Sequence, residues 1–130
     1  MPDTKKYYIV DDDIDDQQYL IEALTENDRS AQCYTANNGQ EAMTYLESTP
    51  TPFPDAIFLD LNMSRMGGKQ CLTELKLLPL LRDIPVIMYS TSSDEKEIAD
   101  TIRMGAAYFL VKGSSFKDLR QELTSILAAL

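Results

Sequence analysis

The sequence predicts an α/β protein built on a doubly wound parallel sheet. Five short β-prone runs alternate with five segments of helical pattern, at spacings of 20 to 30 residues. Two of the runs, Ala56 to Leu59 and Pro85 to Tyr89, are apolar nearly throughout, as strands covered on both faces are. The length, 130 residues, is that of one domain. Strands separated by helices are joined by right-handed crossovers, which force a parallel sheet with helices on both faces.

Each element has its own warrant. Lys6 to Val10 is β-rich, and Ile14 to Glu26 follows with Ile14, Leu20, Ile21 and Leu24 as a helical stripe. Ala31 to Ala36 reads as the second strand. Asn37, Asn38 and Gly39 punctuate it, and Gln40 to Glu47 follows as a helix with Ala42, Met43 and Leu46 on one face. Ser48 to Pro54, with three prolines, is the longest loop. Ala56 to Leu59 is the third strand, and Gly67 and Gly68 serve a turn into a helix over Lys69 to Leu78. After the fourth strand, Ser92 and Glu95 have capping-box spacing ahead of a helix to Met104. Ala107 to Val111 is the fifth strand. The last helix begins near Ser115 and carries the best periodic stripe in the chain: Phe116, Leu119, Leu123, Ile126 or Leu127, and Leu130.

Composition excludes several functions. Twelve basic against 21 acidic residues leave a net charge of −9, which repels nucleic acid and anionic lipid alike. No apolar run approaches the roughly 20 residues of a membrane span. The start of the chain lacks the apolar stretch of an export signal, so a cytoplasmic location is expected. Histidine is absent, which removes Ser-His-Asp and Cys-His catalysis together with histidine metal sites. Cys33 and Cys71 form no metal pattern and no disulfide framework, and read as reduced packing residues.

In a doubly wound sheet, ligands bind beyond the carboxyl ends of the strands. Asp11, Asp12 and Asp13 follow the first strand, Asp60 and Asn62 the third, Ser90 and Thr91 the fourth, and Lys112 ends the fifth. Taken singly, each has a plainer reading. Aspartates favour the first turn of a helix, and serines and threonines are ordinary in loops. Their coincidence at the ends of different strands points instead to one site. Clustered carboxylates repel one another unless a cation joins them. Oxygen ligands without His or Cys select a hard ion, Mg²⁺ or Mn²⁺. Asp60 and Lys112 each end an apolar strand and are fixed by buried backbone. A carboxylate can attack phosphorus to give an acyl phosphate, and a lysine ammonium can neutralise the transferred oxygens. The set therefore suits phosphoryl transfer.

The segments YYIVDDD, IFLDLNMSRMGG, IPVIMYST and GAAYFLVK together resemble the receiver domain of two-component response regulators, from about Lys6 to the C-terminus. The resemblance implies a flavodoxin-like (βα)5 fold with strand order 2-1-3-4-5, and one receiver domain over residues 1–130. It implies that Asp11 and Asp12 bind the metal, that Asp60 accepts the phosphoryl group, and that Asn62 lends a backbone carbonyl to the metal. Ser90 becomes the switch hydroxyl, Phe109 the switch aromatic, and Lys112 the lysine of the phosphoryl pocket. Asp13 is a neighbour of the ligands. The donor implied is phosphohistidine on a histidine kinase or phosphotransfer domain. The output implied is a protein target meeting the face of helix four, strand five and helix five, with the chain a monomer or weak dimer. Its catalysis would be confined to its own phosphorylation and slow hydrolysis of the aspartyl phosphate.

The chain also departs from the family pattern. Ser64 stands where proline usually follows the Asn-Met pair, and Gly113 stands where a proline usually follows the lysine. The turn Gly113-Ser114-Ser115 must then hold Lys112 by other means. Phe109 lacks the hydroxyl of the frequent tyrosine. These departures are similar to those of a branch of stand-alone receivers, some paired with phytochrome-type kinases. They also leave open a constitutive binding module on the same fold, which a phosphoryl mimic with Mg²⁺ would fail to perturb. An aspartate phosphatase places its nucleophile after the first strand, and a flavin carrier needs a phosphate loop where this chain has aspartates. Both fit less well.

Overall fold

The structure, a computed structural model, describes residues 4–48 and 53–130. Four residues of the proline-rich loop, 49–52, and residues 1–3 at the start of the chain lie outside them. Along the chain run β1 (Lys6–Val10), α1 (Ile14–Asn27), β2 (Gln32–Ala36), α2 (Gly39–Ser48), β3 (Ala56–Leu59), α3 (Gly68–Leu77), β4 (Val86–Ser90), α4 (Glu95–Arg103), β5 (Tyr108–Val111) and α5 (Phe116–Ala129). The strands pair in parallel, in the order β2-β1-β3-β4-β5.

The apolar strands feed two cores because successive side chains point to opposite faces. Tyr8, Val10, Ile57, Leu59, Val86 and Met88 pack with α2 and α3 on one face. Tyr7, Ile9, Phe58, Ile87 and Tyr89 pack with α1 and α5 on the other. That is why β3 and β4 show no polar alternation: all their residues are buried.

Three helical expectations need correction. Ile14, placed on the apolar stripe of α1, is 63% exposed, while Gln17, Leu20, Ala23 and Leu24 form the buried face. Ile14 is the first helical residue, beyond the reach of the sheet. Leu130, at the end of the α5 stripe, is likewise exposed. The capping box at Ser92 does not form. Asp94 caps α4 and accepts from the Lys96 N–H at 3.0 Å, while Ser92 Oγ accepts from the Asp94 N–H at 3.4 Å. A carboxylate two residues nearer the helix outcompetes the hydroxyl for the free N–H groups.

Helix α4 is held differently from the others. Thr101 is its one buried residue. Lys69, at the start of α3, bridges to Glu97 at 3.2 Å and Asp100 at 3.5 Å, and Asp100 also pairs with Lys96 and Arg103. A helix anchored through solvated ion pairs moves at less cost than one buried in a core.

The turn from β3 to α3 requires glycine at Gly68. A Cβ there would lie 2.3 Å from the Asp60 carbonyl oxygen and 2.7 Å from the Leu61 Cα, both backbone atoms that cannot step aside alone. Gly68→Ala is therefore expected to displace the loop carrying Asp60 and to cost about 2 kcal/mol, within the usual range for overpacking. Urea unfolding checks this, and an unchanged midpoint would show that the loop yields freely.

Candidate functional site

Strand register brings the candidate residues together. Val10 pairs with Leu59, so Asp11 and Asp60 leave adjacent strands side by side. The Asp60 N–H bonds the Val10 carbonyl at 2.9 Å, and the Asp11 N–H bonds the Ala36 carbonyl at 3.0 Å. Ser90 pairs with Val111, and the next N–H, that of Lys112, bonds the Ser90 carbonyl at 2.7 Å.

Asp11, Asp12 and Asp60 each offer a carboxylate oxygen, all within 4.8 Å of one another. These three residues would hold a divalent cation, whose charge would relieve the repulsion among their carboxylates. The donors are all oxygens, which suits a hard divalent cation. Asp11 and Asp60 are buried, whereas Asp12 is exposed at the mouth. Burial first, then the neighbouring Asp11 and Asp12, raise the Asp60 carboxyl to about 6 against the opposing pull of Lys112 and of the Asn62 backbone N–H. Asn62 thus meets Asp60 through its amide N–H, next to the carbonyl assigned to the metal by resemblance.

Lys112 stands opposite, its side chain only 8% exposed. Its Nζ donates to Asp11 Oδ2 and Asp16 Oδ2, each at 2.8 Å, and lies 3.8 Å from Asp60 Oδ1. Burial disfavours its charge, but the bonds to Asp11 and Asp16 and the charge of Asp60 outweigh it, so the amine is held above its ordinary range. The Tyr89 ring lies beneath, 5.4 Å from Nζ to its centroid. No proline is needed after the lysine. Gly113 takes a positive φ of 108°, Tyr19 donates its hydroxyl to the Ser114 carbonyl at 3.2 Å, and Ser115 caps α5.

The acidic run divides its work. Asp13 caps α1, accepting from the N–H groups of Asp15 and Asp16, and its own N–H donates to Asp11 Oδ1 at 2.9 Å. Gln17, buried in α1, donates to the Asp11 carbonyl at 2.6 Å and to Asn37 Oδ1 at 3.0 Å, clamping the loop after β1. Asp16, Gln17 and Tyr89 went unmarked in the sequence. The first two were hidden in the aspartate run and its helix, and Tyr89 in an apolar strand.

Ser90 is fully buried at the end of β4, its Oγ accepting from the Ser92 N–H at 3.3 Å. Phe109 lies on β5 and pairs with Met88 of β4. Half-buried, it packs against the core on the α2–α3 side. It also lines a groove of about 330 Å³ with Gln121, Glu122, Ser125 and Ile126 of α5. Among the described residues no helix is long and apolar enough to cross a membrane.

A family model of the response regulator receiver domain matches residues 8–124. Response regulator Rcp1 of Synechocystis sp. is 29% identical over 119 residues, covering 88% of this chain and 81% of Rcp1. The probable C4-dicarboxylate response regulator DctR of Bacillus subtilis is 27% identical over 91% of this chain, which spans only half of DctR. Among solved structures, the phosphorylated cyanobacterial phytochrome response regulator RcpA superposes with a TM-score of 0.84 at 31% identity, covering 95% of this chain and 91% of RcpA. The Mn²⁺-bound form of Rcp1 gives 0.82 at 27% identity, covering 95% of this chain and 92% of that one.

Proposed function

The chain belongs to the response regulator receiver domain family of two-component signalling, and from that premise we propose that it is a phosphorylation switch whose acceptor is Asp60. It works as one receiver domain. A phosphohistidine on a kinase or phosphotransfer domain presents the phosphoryl group. A carboxylate oxygen of Asp60 forms the new P–O bond as the P–N bond breaks, and the bonding pair returns to the donor imidazole. The transition state spreads charge over the equatorial oxygens, so catalysis consists of position and cations. Lys112 supplies one cation. Asp11, Asp12 and Asp60, with the Asn62 carbonyl, would hold Mg²⁺ or Mn²⁺, which supplies the other when bound.

The observation that carries this reading is the meeting within 4.8 Å of three carboxylates that follow β1 and β3, with a lysine side chain only 8% exposed opposite. Relatives point the same way: RcpA has been solved phosphorylated, and Rcp1 with Mn²⁺. Once Asp60 is modified, Ser90 and the loop after β4 close on the phosphoryl oxygens. Phe109 moves into the space vacated, and the face of α4, β5 and α5 changes shape toward a protein target. The ion-paired seating of α4 suits it to that movement.

Incubation with Mg²⁺ and acetyl phosphate, followed by mass spectrometry and peptide mapping, tests the assignment. One phosphoryl group on the peptide containing Asp60 is expected. Labelling elsewhere, or none with either acetyl phosphate or a phosphohistidine donor, would favour a constitutive binding module.

A further inference from the structure

We propose that Asp16 is a positioning residue that holds the Lys112 ammonium on the α1 side of the pocket until a phosphoryl group on Asp60 competes for it. The inference rests on the phosphorylation reading above and adds to it a residue outside the ligand set. Lys112 Nζ makes two full hydrogen bonds, to Asp11 and Asp16 at 2.8 Å, and stops 3.8 Å from Asp60, beyond hydrogen-bonding distance. With the lysine side chain only 8% exposed, little water is at hand to replace a lost partner. Two of its three N–H donors are thus engaged, and any shift of Nζ toward Asp60 that brings the third onto a phosphoryl oxygen lengthens one of those two bonds.

The two bonds are unequal. Asp11 is 3% exposed at its side chain and is braced by the Asp13 N–H at 2.9 Å. Asp16 is 37% exposed, so water can take over its carboxylate once the lysine departs. The bond to Asp16 is the one that yields. It stabilises the unmodified pocket and not the modified one, and so biases the equilibrium against phosphorylation. Its location is set locally: Asp16 lies in the first turn of α1, its N–H bonded to the capping Asp13 at 3.2 Å.

Beryllofluoride at saturating Mg²⁺, titrated by NMR or calorimetry, reads this bias. Asp16→Asn should bind the mimic about five-fold more tightly, the size expected for a partly exposed charged hydrogen bond. Asp15→Asn removes the same charge one residue away from an exposed side chain that makes no ion pair among the described residues, and should change affinity less than two-fold. Asp16→Glu, which keeps the charge, should return affinity toward wild type. Affinity for Mg²⁺ alone should not rise in Asp16→Asn. Equal gains in the two asparagine variants would reduce the effect to net charge and overturn the proposal. No gain in Asp16→Asn would overturn it too, while wild-type binding left the phosphorylation reading standing. Failure of the wild-type protein to bind would remove that reading and the proposal with it.

Discussion

Asp60→Asn is expected to lose all Mg²⁺-dependent labelling and, without metal, to be more stable than the wild type at neutral pH. The first effect follows from chemistry, since an amide oxygen is no nucleophile toward phosphorus at this pH. The second follows from burial. The Asp60 carboxyl sits at about 6 in the folded protein, against 3.8 for an ordinary aspartate, chiefly because burial disfavours its charge. Between those values the folded chain holds a proton that the unfolded chain has released. Stability therefore falls as pH rises through that window, and the full penalty is present above it. Two units correspond to roughly 2–3 kcal/mol. Asparagine removes the penalty while its oxygen still accepts from the Asn62 N–H. Urea unfolding in EDTA should show the variant ahead at pH 7.5 and the gap closing toward pH 4. Stoichiometric labelling of the variant would end the assignment of Asp60. A gap independent of pH would separate its stability effect from its charge.

The same carboxylate shows what could be read in the sequence. That Asp60 would stand beside Asp11 followed from two apolar strands ending at the same edge, because a parallel register with Val10 opposite Leu59 leaves the next residues no other place. Lys112 was legible for the same reason at the far end of β5. What stayed hidden depends on helices rather than strands. Asp16 reaches Lys112 across 96 residues of sequence because α1 and α5 pack on one face of the sheet. No periodicity in the aspartate run separates the residue that caps α1, Asp13, from the one that grips the lysine. The cap of α4 was misplaced by two residues because Ser92 and Asp94 both have suitable side chains, and only the path of the loop decides between them. Ile14 looked like a core residue because period alone cannot tell that the first turn of a helix overhangs the sheet. The turn after Lys112 was open in sequence. Gly113 at a φ of 108°, with Tyr19 holding Ser114, is the arrangement that serves in place of proline.

Lys112→Met should show how strongly the lysine holds the pocket together. Its ammonium is the only cation paired with Asp11, Asp16 and Asp60 among the described residues. Methionine keeps most of the stem and removes the charge. Asp11, at 2% exposure, then faces Asp60 with no counter-ion, and removing one partner of a buried pair is far costlier than the pair is worth. A loss of about 2–4 kcal/mol is expected in EDTA, the range allowing for the open mouth of the site. Labelling by acetyl phosphate should fall about 100-fold, the cost of deleting one group that meets developing charge. The metal response should run the other way. Lys112 repels any divalent ion among the three carboxylates, so its removal should tighten Mg²⁺ binding by about tenfold or more. Since an ion that binds only the folded state stabilises it, millimolar Mg²⁺ should restore more stability to the variant than to the wild type. Acidification should act in the same sense, because protonating Asp60 removes one of the opposed charges. Unfolding curves with EDTA, with Mg²⁺ and across pH 5 to 8 separate these terms. A variant as stable as the wild type in EDTA would mean that the carboxylates are already separated or neutralised without Lys112, and the electrostatic account of the pocket would fall.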